Sequence, residues 1–91
     1  MPKFDLDTMR IVRLTRHGKE SLGFTVRGGY EHEVGVYVSE VEPESQAYTQ
    51  GLRAGDEIMR LNGFTISQAI HQEVLNLIKA HKELVLKVRR K

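Results

Sequence analysis

Cysteine is absent from the 91 residues, which excludes disulfides and thiolate metal sites and favours an intracellular home. No apolar run exceeds three residues, as in Leu84-Val85-Leu86, far short of the roughly 20 that a membrane-spanning helix requires. The opening MPKFDLDTMR carries no apolar core segment of the kind a signal peptide needs. Charge of one sign is also scarce. Fourteen basic against 12 acidic residues leave +2, too little to dictate a polyanionic partner. The sequence therefore predicts a soluble chain. With 40% apolar and 29% charged residues it has the make-up of one small globular domain with one core.

The charges are unevenly spread. Glu31, Glu33, Glu40, Glu42 and Glu44 crowd the middle, while Arg10, Arg13, Arg16 and the tail KVRRK lie towards the ends. A basic strand edge of this kind is compatible with weak contact to anionic lipid. Nucleic acid is not expected, because the aromatic residues, 7% of the chain, do not interleave with the basic ones.

Along the chain, residues 1–8 show no periodicity and read as a loose lead-in or a remnant of something longer, followed by a single domain over 9–91. MRIVRLTR (9–16) is rich in β-branched residues and predicts a first strand ending at HGKE. Residues 23–27 alternate as a second strand, followed by the polar loop GGYEHEVG. VYVSEV (36–41) is a third strand whose alternation slips at Glu40 and Val41. PESQAYTQG predicts a short helix, capped by Ser45 and closed by Gly51 in the left-handed conformation. A strand over 57–61 then meets Asn62-Gly63, a strong short-range hairpin signal. SQAIHQEVLNLIKAH (67–81) predicts the one long helix, with Ser67 as its cap, and ELVLKVR closes the chain as a strand. The expected fold is α+β and mostly β: a partly open antiparallel sandwich of five to six strands with two helices over its gaps.

The long helix carries two apolar stripes. Ile70, Val74 and Leu77 form one; His71, Leu75 and Ile78 form another, rotated by one residue. The second stripe either widens the buried face or borders a groove with His71 at its rim, and periodicity does not choose between them.

Catalytic and metal chemistry find little support. His71, Ser39 and Asp56 supply the residue types of a triad without its spacing or a nucleophile elbow. His17, His32, His71 and His81 lack metal-ligand spacing, and RGGYEHEVG lacks the lysine of a phosphate loop. No enzyme, metal or cofactor is expected.

One feature of strand two stands apart: it opens on Leu22-Gly23-Phe24, although strand interiors usually avoid glycine. SLGF ahead of a strand, GVYVSEVEPESQA, GLRAGDEIMRLNG and a helix containing HQEVLNLIK occur in the order and spacing of a PDZ domain. Over roughly residues 9–89 the chain resembles that family, and VRGGYEH followed by VGVYVSEVEP is most similar to the PDZ domains of the harmonin and whirlin scaffolds.

The resemblance implies a module that captures the free C-terminus of another protein by adding it as a strand. The backbone N–H groups of Leu22, Gly23 and Phe24 would receive the carboxylate. Leu22, Phe24 and Val26, with Leu75 and Ile78 opposite, would take the last side chain. His71 would bond a Ser or Thr hydroxyl at the third residue from the end, the class I pattern of Ser/Thr, any residue, then an apolar terminus. Thr25, Ser39 and Arg27 would flank the peptide, and His17, Arg16 or Lys19 would assist the carboxylate. The implied partners are C-terminal tails of membrane or cytoskeleton-associated proteins and other scaffold proteins, at the cytoplasmic membrane–cytoskeleton boundary. Three positions depart from the family pattern: Ser21 where glycine is common, His17 where a basic residue is common, and Ile70 where a small capping residue is usual.

Overall fold

The computed structural model describes residues 8–90; the expected lead-in over 1–8 lies outside them except for Thr8, and so does Lys91 of the basic tail. Six strands form one sheet: β1 (Thr8–Thr15), β2 (Phe24–Gly29), β3 (Val34–Val41), β4 (Glu57–Leu61), β5 (Phe64–Thr65) and β6 (Glu83–Arg90). Two helices complete the fold, α1 (Gln46–Thr49) and α2 (His71–Ala80), with a single 3-10 turn at Tyr30–His32. The strand order is β1-β6-β4-β3-β2, with β5 hanging from β4, and every pairing is antiparallel. β2 thus stands at one margin of the sheet, bonded among the described residues to β3 on one side only.

Alternation decides which face is buried. Val12 and Leu14 of β1 lie opposite Leu86 and Leu84 of β6, and all four are buried in the core shared with Val38, Ile58 and Val74. The hairpin after β4 forms as the sequence predicts: Asn62 (φ 51°) and Gly63 (φ 86°) both take positive φ. Asn62 also ties the turn to β6, its side-chain amide donating to the Glu83 carbonyl (2.9 Å) and accepting from the Val85 N–H (2.6 Å). Ser45 caps α1 by accepting from the Tyr48 N–H (3.1 Å), and Gly51 takes φ 102° beyond it.

Asp56 is a buried carboxylate, 1% exposed. It accepts from the Arg53 N–H and grips Arg90 through two bonds of 2.7 Å, fastening the end of β6 to the start of β4. This forked pair holds the Arg90 guanidinium above its ordinary pKa.

Several boundaries differ from expectation: β1 spans Thr8–Thr15 rather than 9–16, and β3 begins at Val34 rather than Val36, taking in the end of the expected loop. β2 runs from Phe24 to Gly29 rather than over 23–27, because Gly28 and Gly29 still pair with Val36 and Val34 after a register shift. The long helix begins at His71, not at Ser67. Residues before it are held in a turn, where the Ala69 N–H donates to Ile66 and the Ala69 carbonyl accepts from Tyr30. Ser67 is exposed and caps nothing; Ile70 is the N-cap and has no polar side-chain atom to offer.

Candidate peptide-binding groove

β2 presents its unpaired edge on the side of the sheet away from β3, and α2 packs against β2. A free strand edge beside a helix is a slot able to accept one more strand. The mouth of that slot is the segment 21–24. Its carbonyls are committed: Leu22 accepts from the Ala47 N–H (3.1 Å) and Gly23 from the Glu42 N–H (2.8 Å). Of its donors, the Gly23 N–H meets only the Ser21 hydroxyl of its own loop (3.1 Å), and the Leu22 N–H makes no hydrogen bond among the described residues. Consecutive backbone donors in so tight a bend form a positive concavity suited to an anion.

Gly23 has φ +93°, and a Cβ there would overlap the Ser45 side chain. The requirement for glycine therefore comes from the bend and from the cap of α1, not from room for an incoming group.

Phe24 and Val26 are half-buried and pack against the core, whereas Leu22 is buried within it. Across the slot, Leu75 and Ile78 are half-buried. Of the two helix stripes, only Val74 is fully buried; Leu77 and Ile78, one from each stripe, are half-buried against the core, His71 and Leu75 are half-buried, and Ile70 is exposed. A separate cleft of about 520 Å³, lined by Phe64, Ala69, Leu77 and Ala80, runs along another side of α2 and shares none of the predicted site residues.

His71 occupies the first position of α2, and its Nδ1 lies 2.9 Å from the Gly28 carbonyl at the far end of β2. A carbonyl only accepts, so this contact puts the ring proton on Nδ1 and leaves Nε2 as a free acceptor in the neutral ring. Thr25 and Ser39 share a hydroxyl–hydroxyl bond of 2.7 Å. It arises at a bulge: Thr25 opposes Glu40 and Val26 opposes Val38, so Ser39 is left between. This is the slip seen in the alternation of strand three. Arg27 is exposed, with its guanidinium 5.3 Å from the centre of the Tyr37 ring.

The three residues expected to assist a carboxylate separate. Arg16 is spent elsewhere, donating to the Ile78 carbonyl (3.0 Å) and the His81 carbonyl (2.6 Å) at the C-terminal end of α2. His17 and Lys19 remain exposed in the loop. Two more members of the basic stripe are also engaged internally, Arg89 by Glu57 (2.6 Å) and Arg90 by Asp56.

One residue at the groove had no sequence signal at all. Glu31, from the 3-10 turn, accepts the His71 N–H with both carboxylate oxygens (3.0 and 3.3 Å) across 40 positions of sequence. That bond holds the Glu31 carboxyl below the usual glutamate range. Gly29 makes room for it, since a Cβ there would lie 2.5 Å from Glu31 Oε1 and 2.7 Å from His71 N.

Comparison with known proteins agrees with this architecture. The PDZ domain family matches over residues 11–89. Human whirlin is 48% identical over 81 residues, covering 88% of this chain but only 9% of whirlin's own length. PDZ domain-containing protein 11 of Bos taurus is 32% identical over 80 residues, covering 88% of this chain and 57% of that protein. Among solved structures, the PDZ domain from choanoflagellate SHANK1 bound to a GIRK3 peptide superposes with a TM-score of 0.82 at 27% identity, covering 96% of this chain and 97% of that one. The second PDZ domain of Dlg1 from the choanoflagellate Monosiga brevicollis gives a TM-score of 0.83 at 24% identity, over 92% and 100% of the two chains, a likeness of fold alone.

Proposed function

The chain belongs to the PDZ domain family, a family of non-catalytic binding modules, and on that premise we propose that it binds the free C-terminal tail of a partner protein as an added strand between β2 and α2. The observation that carries the reading is the coincidence of an unpaired strand edge, a donor-rich bend at one end and a half-covered apolar border opposite. The likeness to the peptide-bound SHANK1 domain supports it.

The terminal carboxylate meets the N–H groups of Leu22, Gly23 and Phe24. Hydrogen bonds to a charged acceptor contribute roughly 1.5–3 kcal/mol each, reduced at Gly23 because the Ser21 hydroxyl is displaced. The last side chain enters between Phe24, Val26, Leu75 and Ile78 above Leu22. Burying a Val, Leu or Ile there contributes about 1.5–3 kcal/mol.

An added strand antiparallel to β2 brings its third residue from the end towards His71. There Nε2, freed as an acceptor by the Gly28 contact, accepts a hydrogen bond from a Ser or Thr hydroxyl, which defines a class I ligand. Thr25, Ser39 and Arg27 flank the outward-facing side chains. The partners are C-terminal tails of membrane or cytoskeleton-associated proteins, or other scaffold proteins. The reading places the domain in the cytoplasm at the membrane–cytoskeleton boundary, and the likeness to 9% of whirlin's length is in keeping with one module of a larger scaffold.

A titration of peptides ending in Thr, any residue, then Leu tests this directly. Amidating the terminus lowers affinity at least roughly tenfold, about 1.4 kcal/mol. His71→Ala narrows the preference for Thr over Ala at the third-from-last residue. Equal affinity for free and amidated ends overturns strand capture of a carboxylate; an unchanged Thr preference overturns the class I assignment.

A further inference from the structure

Residue types do not explain how the start of α2 is held. Its N-cap is Ile70, which offers no acceptor, so the donors of the first turn lack the usual Ser or Asp cap. The fold answers with two carboxylates. Glu73 reaches back to the Ile70 N–H (2.9 Å), and Glu31 arrives from the 3-10 turn to take the His71 N–H. Negative charge at a helix N-terminus is favourable, but only Glu31 joins α2 to a different element.

Three contacts therefore converge within the groove's upper end. The Tyr30 N–H donates to the Ala69 carbonyl (3.0 Å), Glu31 accepts from the His71 N–H, and His71 Nδ1 lies on the Gly28 carbonyl. The first two hold the backbone immediately before and at His71. The third holds its ring. The residues supplying them, Gly28, Tyr30 and Glu31, lie within four positions of one another, so the helix start is tied to the end of β2 at three points. The arrangement requires a glycine at position 29, since any side chain there would occupy the space in which Glu31 meets His71.

We propose that Glu31 is a specificity-determining, positioning residue: by gripping the His71 N–H it holds the imidazole against Gly28 and thereby sets the preference of the groove for a hydroxyl at the third-from-last ligand residue. The inference rests on the class I reading of the groove. Glu31 does not touch the ligand hydroxyl itself. Without its grip, the His71 backbone is freed from the 3-10 turn, the Nδ1 contact weakens, and Nε2 loses its fixed aim. Apolar contacts along Phe24, Val26, Leu75 and Ile78 do not depend on it. Loss of Glu31 consequently affects discrimination at one ligand position more than affinity as a whole.

The test measures affinities of two peptides that differ only by Thr or Ala at the third-from-last residue, against wild type, Glu31→Gln, Glu31→Ala and His71→Ala. The wild type favours the Thr peptide, and Glu31→Ala reduces that ratio by ~3–10-fold, the worth of one hydrogen bond. Glu31→Gln, which keeps an oxygen acceptor without the charge, falls between. Affinity for the Ala peptide stays within about twofold in both Glu31 variants, which a general loosening of the fold would not leave intact. Nitrogen-15 NMR of the free protein adds a readout independent of any peptide: the wild-type imidazole carries its proton on Nδ1, and Glu31→Ala erodes that single-tautomer signature. A wild type without Thr preference overturns the class I reading and this inference together. A wild type with that preference, retained in both Glu31 variants, overturns the inference alone.

Discussion

Replacing Gly23 by Ala tests why the binding loop begins on glycine. Two costs add. At φ +93° a Cβ is strained, by roughly 1–2 kcal/mol. The same Cβ overlaps Ser45, whose hydroxyl accepts from Tyr48 and donates to the Glu42 carbonyl (2.7 Å). Displacing that side chain forfeits an N-cap, typically about 1 kcal/mol, and strains the Glu42–Gly23 backbone bond as well. The expected loss is about 2–4 kcal/mol, visible in urea denaturation as a lower midpoint at unchanged m. For a domain of this size it corresponds to a melting temperature lower by roughly 10–25 °C. Ser45→Gly, which itself costs only a few tenths, separates the two components. In that background Gly23→Ala has room, and its cost falls to the backbone part. The two substitutions therefore couple by about 1–2 kcal/mol in a double-mutant cycle. A Gly23→Ala cost below about 1 kcal/mol, or strict additivity with Ser45→Gly, refutes the reasoning.

Asp56→Ala leaves the Arg90 fork and the Arg53 N–H without their buried acceptor. Breaking a buried pair costs about 3–5 kcal/mol, and since Arg90 stays partly exposed and keeps the Gly51 carbonyl, about 2–4 kcal/mol is expected. Urea denaturation measures it, while peptide affinity at low temperature stays within about twofold, and a loss under about 1 kcal/mol contradicts the structural role. The Glu31 bond predicts an acid-side effect. Because its folded pKa is lowered, its contribution is present above the ordinary glutamate pKa of about 4.3 and is lost as pH falls from there through the folded value. His32, 3.8 Å away, and His71 face the same carboxylate and favour its charged form. Thermal melts from pH 7 down to pH 3 should fall less steeply below pH 5 for Glu31→Gln than for wild type; parallel curves would refute the bond's contribution.

What was legible in the sequence is what depends on neighbours in sequence. β4 matches its predicted span, Asn62-Gly63 turns as its residue types require, and Ser45 caps α1 three residues before the N–H it accepts. The slip at the end of strand three marks the bulge at Ser39. The misplaced helix start has the opposite cause. Ser67 looks like a cap locally, but the Tyr30–Ala69 bond and the Glu31 carboxylate, both long-range in sequence, decide where α2 begins. The family resemblance points Arg16 towards the carboxylate because it neighbours His17, which stands at the basic position of the preceding turn. Its long side chain instead finds the unpaired carbonyls of a helix end 62 and 65 positions away. No periodic pattern encodes such contacts.

Those same long-range contacts give the groove its character. α2 is held at both ends by charge of the sign its dipole favours: the Glu31 carboxylate at the N-terminal donors, the Arg16 guanidinium at the C-terminal acceptors. Glu31 belongs to the turn that follows β2, and Arg16 to the loop that precedes it. The strand and the helix that form the two walls are thus fastened to one another at each end of the slot, and within β2 itself the Gly28 carbonyl, at the far end of the strand, takes part through His71. A peptide entering as a strand then finds the spacing already set and does not have to order the walls, which lowers the conformational cost of binding. On the proposed reading, affinity for an apolar terminus follows from that spacing, whereas selectivity for a hydroxyl depends on the single end at which Glu31 and His71 meet.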